Sequence, residues 1–211
     1  MHITEGVAPA SVAAAGALLT AGGVAMGLRA MKDEQIPRAA LMSAAIFAAS
    51  LVIRLPLGPS SVHPVLNGLA GLLLGWAAVP AFLVALFLEA LLFQFGGITT
   101  LGLNTITMAA PAVVCYAIFN RPLRRCRQKN TAFLLGMAAG VTALLLSFAL
   151  WAAVLVLSGK SLIVIVKLAL IPHLAITAME GLFTGFVVSF LFKVYPGVFD
   201  LPLTREGGVA P

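Results

Sequence analysis

Between Leu55 and Asn120 the chain carries a single formally charged residue, Glu89. A charge-poor run of this length leaves few folds open. One helical crossing of a bilayer takes about 20 apolar residues, so the run alone has room for roughly three. Irregular backbone cannot face lipid, and the run lacks the apolar–polar alternation of a barrel strand. The expected fold class is an all-α integral membrane protein. Composition agrees: 61% of the 211 residues are hydrophobic and 9% are charged, against about 25% charged in a soluble domain.

Turn signals and charges divide the chain into about seven transmembrane helices. The first is expected from about Ala10 to Leu28, and the second from Pro37, a favourable first-turn residue, to about Leu55. A short helix from Pro64 to Leu74 and a longer one from Ala77 to Phe95 are separated by a break at Gly75. Three more follow: Thr100 to Phe119, Thr131 to Leu157, and Ile163 to Val194, the last carrying Pro172 and hence a kink or re-entrant start. Residues 1–199 read as one transmembrane substrate-binding domain, with segment 1–9 folding into its site. The polar tail 200–211 reads as a disordered cytoplasmic extension.

Basic residues set the orientation. Arg29, Lys32, Arg38, Arg121, Arg124, Arg125, Arg127, Lys129, Lys193 and Arg205 fall at one end of the expected bundle, and Arg54, Lys160 and Lys167 at the other. The ten belong in the cytoplasm, which puts the N-terminus outside and the C-terminus inside. This placement accounts for the net charge of +6 without a nucleic-acid partner. No positive region opens the chain as it would a cleavable signal, and the bulky His2 disfavours removal of Met1. Cys115 and Cys126 lack metal-type spacing and, near the basic face, are poor disulfide candidates.

The residues with the most distinctive chemistry are Met1 and His2. A second-position histidine can offer one ion three nitrogens: the α-amine, its own amide nitrogen and its imidazole. The rings so closed have five and six members, and one further nitrogen completes a square, a geometry suited to Ni(II) or Cu(II). His63 follows the second helix and so shares the outer side with His2; it leads straight into an apolar helix, where polar groups bond something specific. Asn67 lies one turn on and either orients His63 or serves a helix contact. His173, just after Pro172, is the competing ligand, with satisfaction of backbone as its ordinary role. Glu89 sits within a span, where a carboxylate is protonated or paired; Gln94, Asn104 and Arg54 are its candidate partners. Asn104 and Thr105 follow the glycine-rich stretch Gly96 to Gly102 and either pack helices or support ligating imidazoles from behind. Ala40, Ala44 and Ala48 form a small-residue stripe fit for close helix packing or for docking a membrane subunit.

Three segments carry a family resemblance. Met1-His2-Ile3-Thr4-Glu5-Gly6, Gly58-Pro59-Ser60-Ser61-Val62-His63 with Asn67-Gly68, and Phe95-Gly96-Gly97-Ile98-Thr99-Thr100-Leu101-Gly102-Leu103-Asn104 resemble the CbiM/NikM family. Its members are substrate-capture subunits of energy-coupling-factor cobalt and nickel importers. The resemblance covers residues 1 to about 195 and implies a seven-helix bundle with its N-terminal segment folded in from outside. It implies Met1, His2 and His63 as metal ligands and Ni(II) or Co(II) as transported substrate. It also implies a transmembrane coupling subunit, cytoplasmic ATPase subunits, often a small accessory membrane subunit, and residence in a bacterial or archaeal cytoplasmic membrane. The Ala40, Ala44, Ala48 stripe resembles the docking face for the coupling subunit. A neutral amide is expected where this chain has Glu89.

The chain has no GxxxxGK[ST] phosphate loop, so ATP hydrolysis is expected elsewhere. Glu89, Ser189 and His173 form no recognisable catalytic spacing, which argues against an enzyme. The alternative is a capture subunit for a vitamin-like molecule, which needs a roomy aromatic pocket and no free amine.

Overall fold

The structure, a computed structural model, describes residues 2–52, 54–57, 60–159 and 162–199. Met1, Ile53, Gly58, Pro59, Lys160, Ser161 and residues 200–211 lie outside them. Among the described residues the chain forms α1 (Ala10–Ala30), α2 (Ile36–Val52), a hairpin of β1 (Leu55–Leu57) and β2 (Ser60–Val62), α3 (Asn67–Leu74), α4 (Ala78–Phe93), α5 (Leu101–Arg125), α6 (Lys129–Ser158) and α7 (Ile163–Val194). Short 3₁₀ turns occupy Asp33–Gln35, Gly75–Ala77 and Pro196–Phe199.

Among the described residues six stretches are long and apolar enough to cross a membrane, one of them spanning Asn67–Phe93. That stretch is α3 and α4, folded back at Gly75, where φ is +57° and ψ −125°. The break therefore falls where the sequence places it, but eight-residue α3 is too short to cross alone. Its course follows from its neighbours. Gly16 near the start of α1 packs on Leu103 at the start of α5, and the Thr20 hydroxyl donates to the Gly102 carbonyl at 2.6 Å. Gly27 near the end of α1 meets Trp76 and Pro80 instead. The turn at Gly75 thus lies at the opposite end of the bundle from the N-terminal segment. Short α3 leads down the centre, and α4 returns.

Every residue of α3 except Leu73 is buried. A Cβ at Gly68 would press on the backbone of Gly140, and one at Gly71 would collide with the Ala112 carbonyl. Glycine at these two places lets α3 run backbone to backbone against α5 and α6. The outward faces carry Leu18, Leu41, Val52, Ile171 and Phe186, all exposed, as expected of side chains that meet lipid.

The connection before His63 is a β-hairpin in which Leu55 pairs with Val62 and Pro56 with Ser61. Two expectations are corrected. The helix expected from Pro64 begins at Asn67, because the Glu180 carboxylate accepts from the amides of Val65 and Leu66 and holds Leu66 at φ +57°. Helix α5 runs past Phe119 through Pro122 to Arg125, so three of the basic residues expected in a loop belong to its last turns.

Candidate metal centre

The N-terminal segment is threaded into the bundle and held there by α5. The Asn104 side chain treats Ile3 as a neighbouring strand would: its Oδ1 accepts from the Ile3 amide at 2.8 Å, and its Nδ2 donates to the Ile3 carbonyl at 3.0 Å. The Thr100 hydroxyl donates to the same carbonyl at 2.9 Å. Two residues on, the Glu5 amide donates to the Gly96 carbonyl at 3.0 Å, and the Glu5 carboxylate accepts from the Thr99 amide at 3.1 Å. That amide holds the Glu5 carboxyl below its usual range. Gly96 and Gly97 have φ of +80° and +125°; a Cβ on the first would sit 2.7 Å from Asn104 Nδ2 and 3.4 Å from His2 Nδ1. Only glycine lets this loop close over the segment without strain.

The clamp leaves Ile3 fully buried and His2 at 2% exposure. His63, delivered by the end of β2, is also 2% exposed. The two imidazoles face each other with ring centres 4.7 Å apart and planes 18° from parallel. His63 Nδ1 lies 2.8 Å from the Pro64 carbonyl oxygen. A carbonyl only accepts, so Nδ1 carries the proton and Nε2 holds the lone pair. His2 Nε2 lies 2.8 Å from Glu89 Oε2, and Glu89 is itself fully buried. Burial, reinforced by the nearby positive charge of Arg54, holds both imidazoles well below the usual histidine range, so they are neutral. Neutral imidazole is the form that binds metal. The Arg54 guanidinium stacks on Phe95, 3.3 Å from its ring centre, and Phe95 in turn lies 6.4 Å from the His2 ring.

Of the residues singled out in the sequence, His2 and His63 are brought together, while Met1 lies outside the described residues. Glu89 lies closest to His2, which was not among its three candidates, and of those three (Gln94, Asn104 and Arg54) it also interacts electrostatically with Arg54. Asn104 grips the segment carrying His2. Thr105 donates to Leu101 in its own helix. Asn67 donates to the Ala143 carbonyl and the Ser147 hydroxyl of α6, the helix-contact role of its two alternatives. His173 places Nδ1 2.8 Å from the Ala169 carbonyl, among the rings of Phe148 and Trp151. Ala40, Ala44 and Ala48 lie on the exposed side of α2. Among the described residues no three His, Cys, Asp or Glu side chains are grouped to hold a metal ion. Sequence reasoning missed Glu180, although an acid flanked by Met179 and Gly181 in an apolar run is the same signal that flagged Glu89.

Fold and site together define a multi-span membrane protein with a buried, imidazole-lined centre assembled around its own N-terminal segment. The chain belongs to the CbiM family, described as the cobalt uptake substrate-specific transmembrane region, which matches residues 2–198. It is 41% identical over 201 residues to a Haemophilus influenzae protein whose name assigns it to metal transport, covering 95% of this chain and 97% of that one. It is 34% identical over 216 residues to the cobalt transport protein CbiM of Sorangium cellulosum, covering 95% of each. A crystal structure described as a truncated transition metal transporter superposes with TM-score 0.72 at 25% identity, over 92% of this chain and 99% of that one.

Proposed function

We propose that this chain is the substrate-capture subunit of an energy-coupling-factor importer and takes Ni(II) or Co(II) from the outer side of a bacterial or archaeal cytoplasmic membrane. The observation that carries the proposal is the pairing of buried, neutral His2, on a clamped N-terminal segment, with buried, neutral His63 at the end of β2. The ion is held by the Met1 amine, the His2 amide nitrogen, His2 Nδ1 and His63 Nε2. Two of these four nitrogens are backbone, so a site of this kind needs no cluster of three ligating side chains. Imidazoles at adjacent corners of a square around one ion, with metal–nitrogen bonds near 2 Å, have ring centres roughly 4–5 Å apart. The observed 4.7 Å matches that separation, and the stacked rings, 18° from parallel, must turn for both in-plane lone pairs to meet one ion.

Residues 1–199 form the capture domain, with the N-terminus outside and the C-terminus in the cytoplasm. The exposed side of α2 carrying Ala40, Ala44 and Ala48 docks the transmembrane coupling subunit. ATP is hydrolysed by separate cytoplasmic subunits, and a small accessory membrane subunit completes the importer.

The test is nickel binding by protein purified with an authentic N-terminus and by the same protein with one residue added ahead of Met1. The extension is expected to abolish binding while leaving every side chain in place. His63→Ala should weaken binding strongly and His173→Ala much less. Unimpaired binding by the extended protein would rule out the amine as a ligand. A protein that ignores nickel and cobalt yet retains a vitamin-like organic molecule belongs to the alternative class.

A further inference from the structure

We infer that Glu180 of α7 is a positioning residue of the metal centre: through the Pro64–Val65 peptide it sets the direction in which the His63 ring points. The inference rests on the capture reading above. The Glu180 carboxyl is buried, and its Oε1 accepts from the Val65 amide and, at 3.1 Å, from the Leu66 amide; Oε2 also lies 3.1 Å from the Leu66 amide. The same Pro64–Val65 peptide is engaged on its other edge, where the Pro64 carbonyl oxygen lies 2.8 Å from His63 Nδ1. A trans peptide is planar and points its N–H and C=O in opposite directions. Fixing the N–H therefore fixes the carbonyl, and with it the side on which the His63 ring is held. Nε2, on the far side of that ring, is the nitrogen assigned to the ion above. Oε1 has lone pairs for both amides whether or not the carboxyl carries a proton, so the grip does not depend on the charge of Glu180.

Local sequence alone does not hold this geometry. Leu66 has φ +57°, a left-handed backbone that leucine rarely adopts. The Val65 and Leu66 amides both precede α3, which begins at Asn67, and in an apolar interior no water is there to accept from them. Glu180 answers both. It can do so firmly because α7 is packed backbone to backbone on α6 at this level: a Cβ at Gly140 would sit 2.9 Å from the Glu180 carbonyl oxygen and 3.1 Å from the Gly181 Cα. A fixed helix thus reaches across to orient a ligand that follows a short hairpin.

The experiment uses full-length, tag-free protein with an authentic N-terminus and isotope-labelled histidine, as wild type, Glu180→Gln and Glu180→Leu. The chain has three histidines, so each ring can be assigned by single substitution. Ring-nitrogen NMR signals of the metal-free protein report whether Nδ1 carries the proton, and titration with nickel chloride reports affinity. His173 is the internal control: on the same helix as Glu180, it places Nδ1 2.8 Å from the Ala169 carbonyl oxygen, a contact that does not pass through Glu180. Glu180→Leu is expected to release the His63 ring into a mixture of its two tautomers while leaving His173 unchanged. It is also expected to weaken nickel binding about 10-fold or more, as removal of an outer partner of a ligating histidine does. Glu180→Gln keeps an acceptor oxygen for both amides and should retain the His63 signals and most of the affinity. Glu180→Asp keeps the carboxyl but shortens its reach, and carries the same test where the leucine protein does not fold. Wild-type His63 signals or wild-type affinity in folded Glu180→Leu, or in Glu180→Asp where it stands in, overturn the inference. Joint loss of the His63 and His173 signals also overturns it, because that marks a general loosening of α7. Wild-type protein that binds no nickel overturns the capture reading, while the metal-free ring signals still decide whether Glu180 holds His63.

Discussion

Asn104 provides the sharpest way to separate folding of the bundle from assembly of the site. Replacing it with leucine keeps a side chain of similar size branched at the same carbon, but removes both hydrogen bonds to Ile3. The Ile3 carbonyl keeps a donor, because the Thr100 hydroxyl still reaches it at 2.9 Å. The Ile3 amide loses its acceptor, and Ile3 is fully buried. A buried, unsatisfied amide costs about 1–3 kcal/mol, which lowers the ratio of docked to free segment roughly 5- to 150-fold. The helices are expected to remain intact, since their own hydrogen bonds do not pass through Asn104. Apparent nickel affinity should fall in proportion to the lost docked population. Hydrogen exchange in bilayer discs reads the docking directly: the Ile3 and Glu5 amides should exchange faster, while amides in the middle of α5 stay protected. Unchanged exchange at both positions, with unchanged affinity, would show that the segment is held by something other than this clamp.

Four further outcomes follow from the same geometry. Gly96→Ala places a Cβ within 2.7 Å of Asn104 Nδ2 at φ +80°, so it should loosen the segment and weaken nickel binding while sparing the melting temperature of the bundle. Arg54→Gln removes a positive charge that lies 3.3 Å from the Phe95 ring centre, itself 6.4 Å from the His2 ring, so no more than about 10 Å from the site. Repulsion of a divalent ion at that range is about 1 kcal/mol in a water-like medium. Nickel affinity should therefore rise roughly fivefold at low salt, and isothermal titration at two ionic strengths should show a shallower salt dependence. His63 has its folded pKa lowered by burial, so below about pH 6.5 the unfolded chain binds a proton that the folded protein does not. Its contribution is thus flat above about pH 6.5 and destabilising as pH falls below it, by up to about 1.4 kcal/mol per pH unit. The metal-free melting temperature of wild type should accordingly drop more steeply below that pH than that of His63→Ala. Glu180→Leu strips the acceptor from two buried amides, Val65 and Leu66, and should cost about 2–6 kcal/mol. Thermal melting should report the loss, with Glu180→Gln recovering part of it.

How much of this was legible in the sequence depends on whether a feature is decided along the chain or across it. The membrane class is decided along the chain, by the charge-poor run from Leu55 to Asn120. So is the break at Gly75, and so is the close approach at Gly96 and Gly97, since a positive φ is recorded in the residue type itself. The meeting of His2 with His63 was reached indirectly, through the asymmetry of the basic residues, and the two rings are indeed neighbours. What could not be read is which polar groups answer one another across helices far apart in sequence. Nothing local to Glu89 says that its partner lies 87 residues earlier on a segment threaded in from another side. Nothing local to Glu180 says that it accepts from the amides preceding α3 and so sets where that helix begins.

These unread pairings share one physical cause. Inside a bilayer no water satisfies a buried polar group, so each one present must be answered by protein. Asn67 reaches α6, Asn104 reaches Ile3, Glu180 reaches Val65 and Leu66, and Glu89 reaches His2. Each of the first three reaches backbone, and Asn67 the Ser147 hydroxyl as well, so the pair fastens two segments together. Glu89 instead faces the His2 ring, whose Nε2 lies 2.8 Å from its Oε2. The same rule that makes intramembrane polar residues rare thus marks each of the four as a contact between segments far apart in sequence.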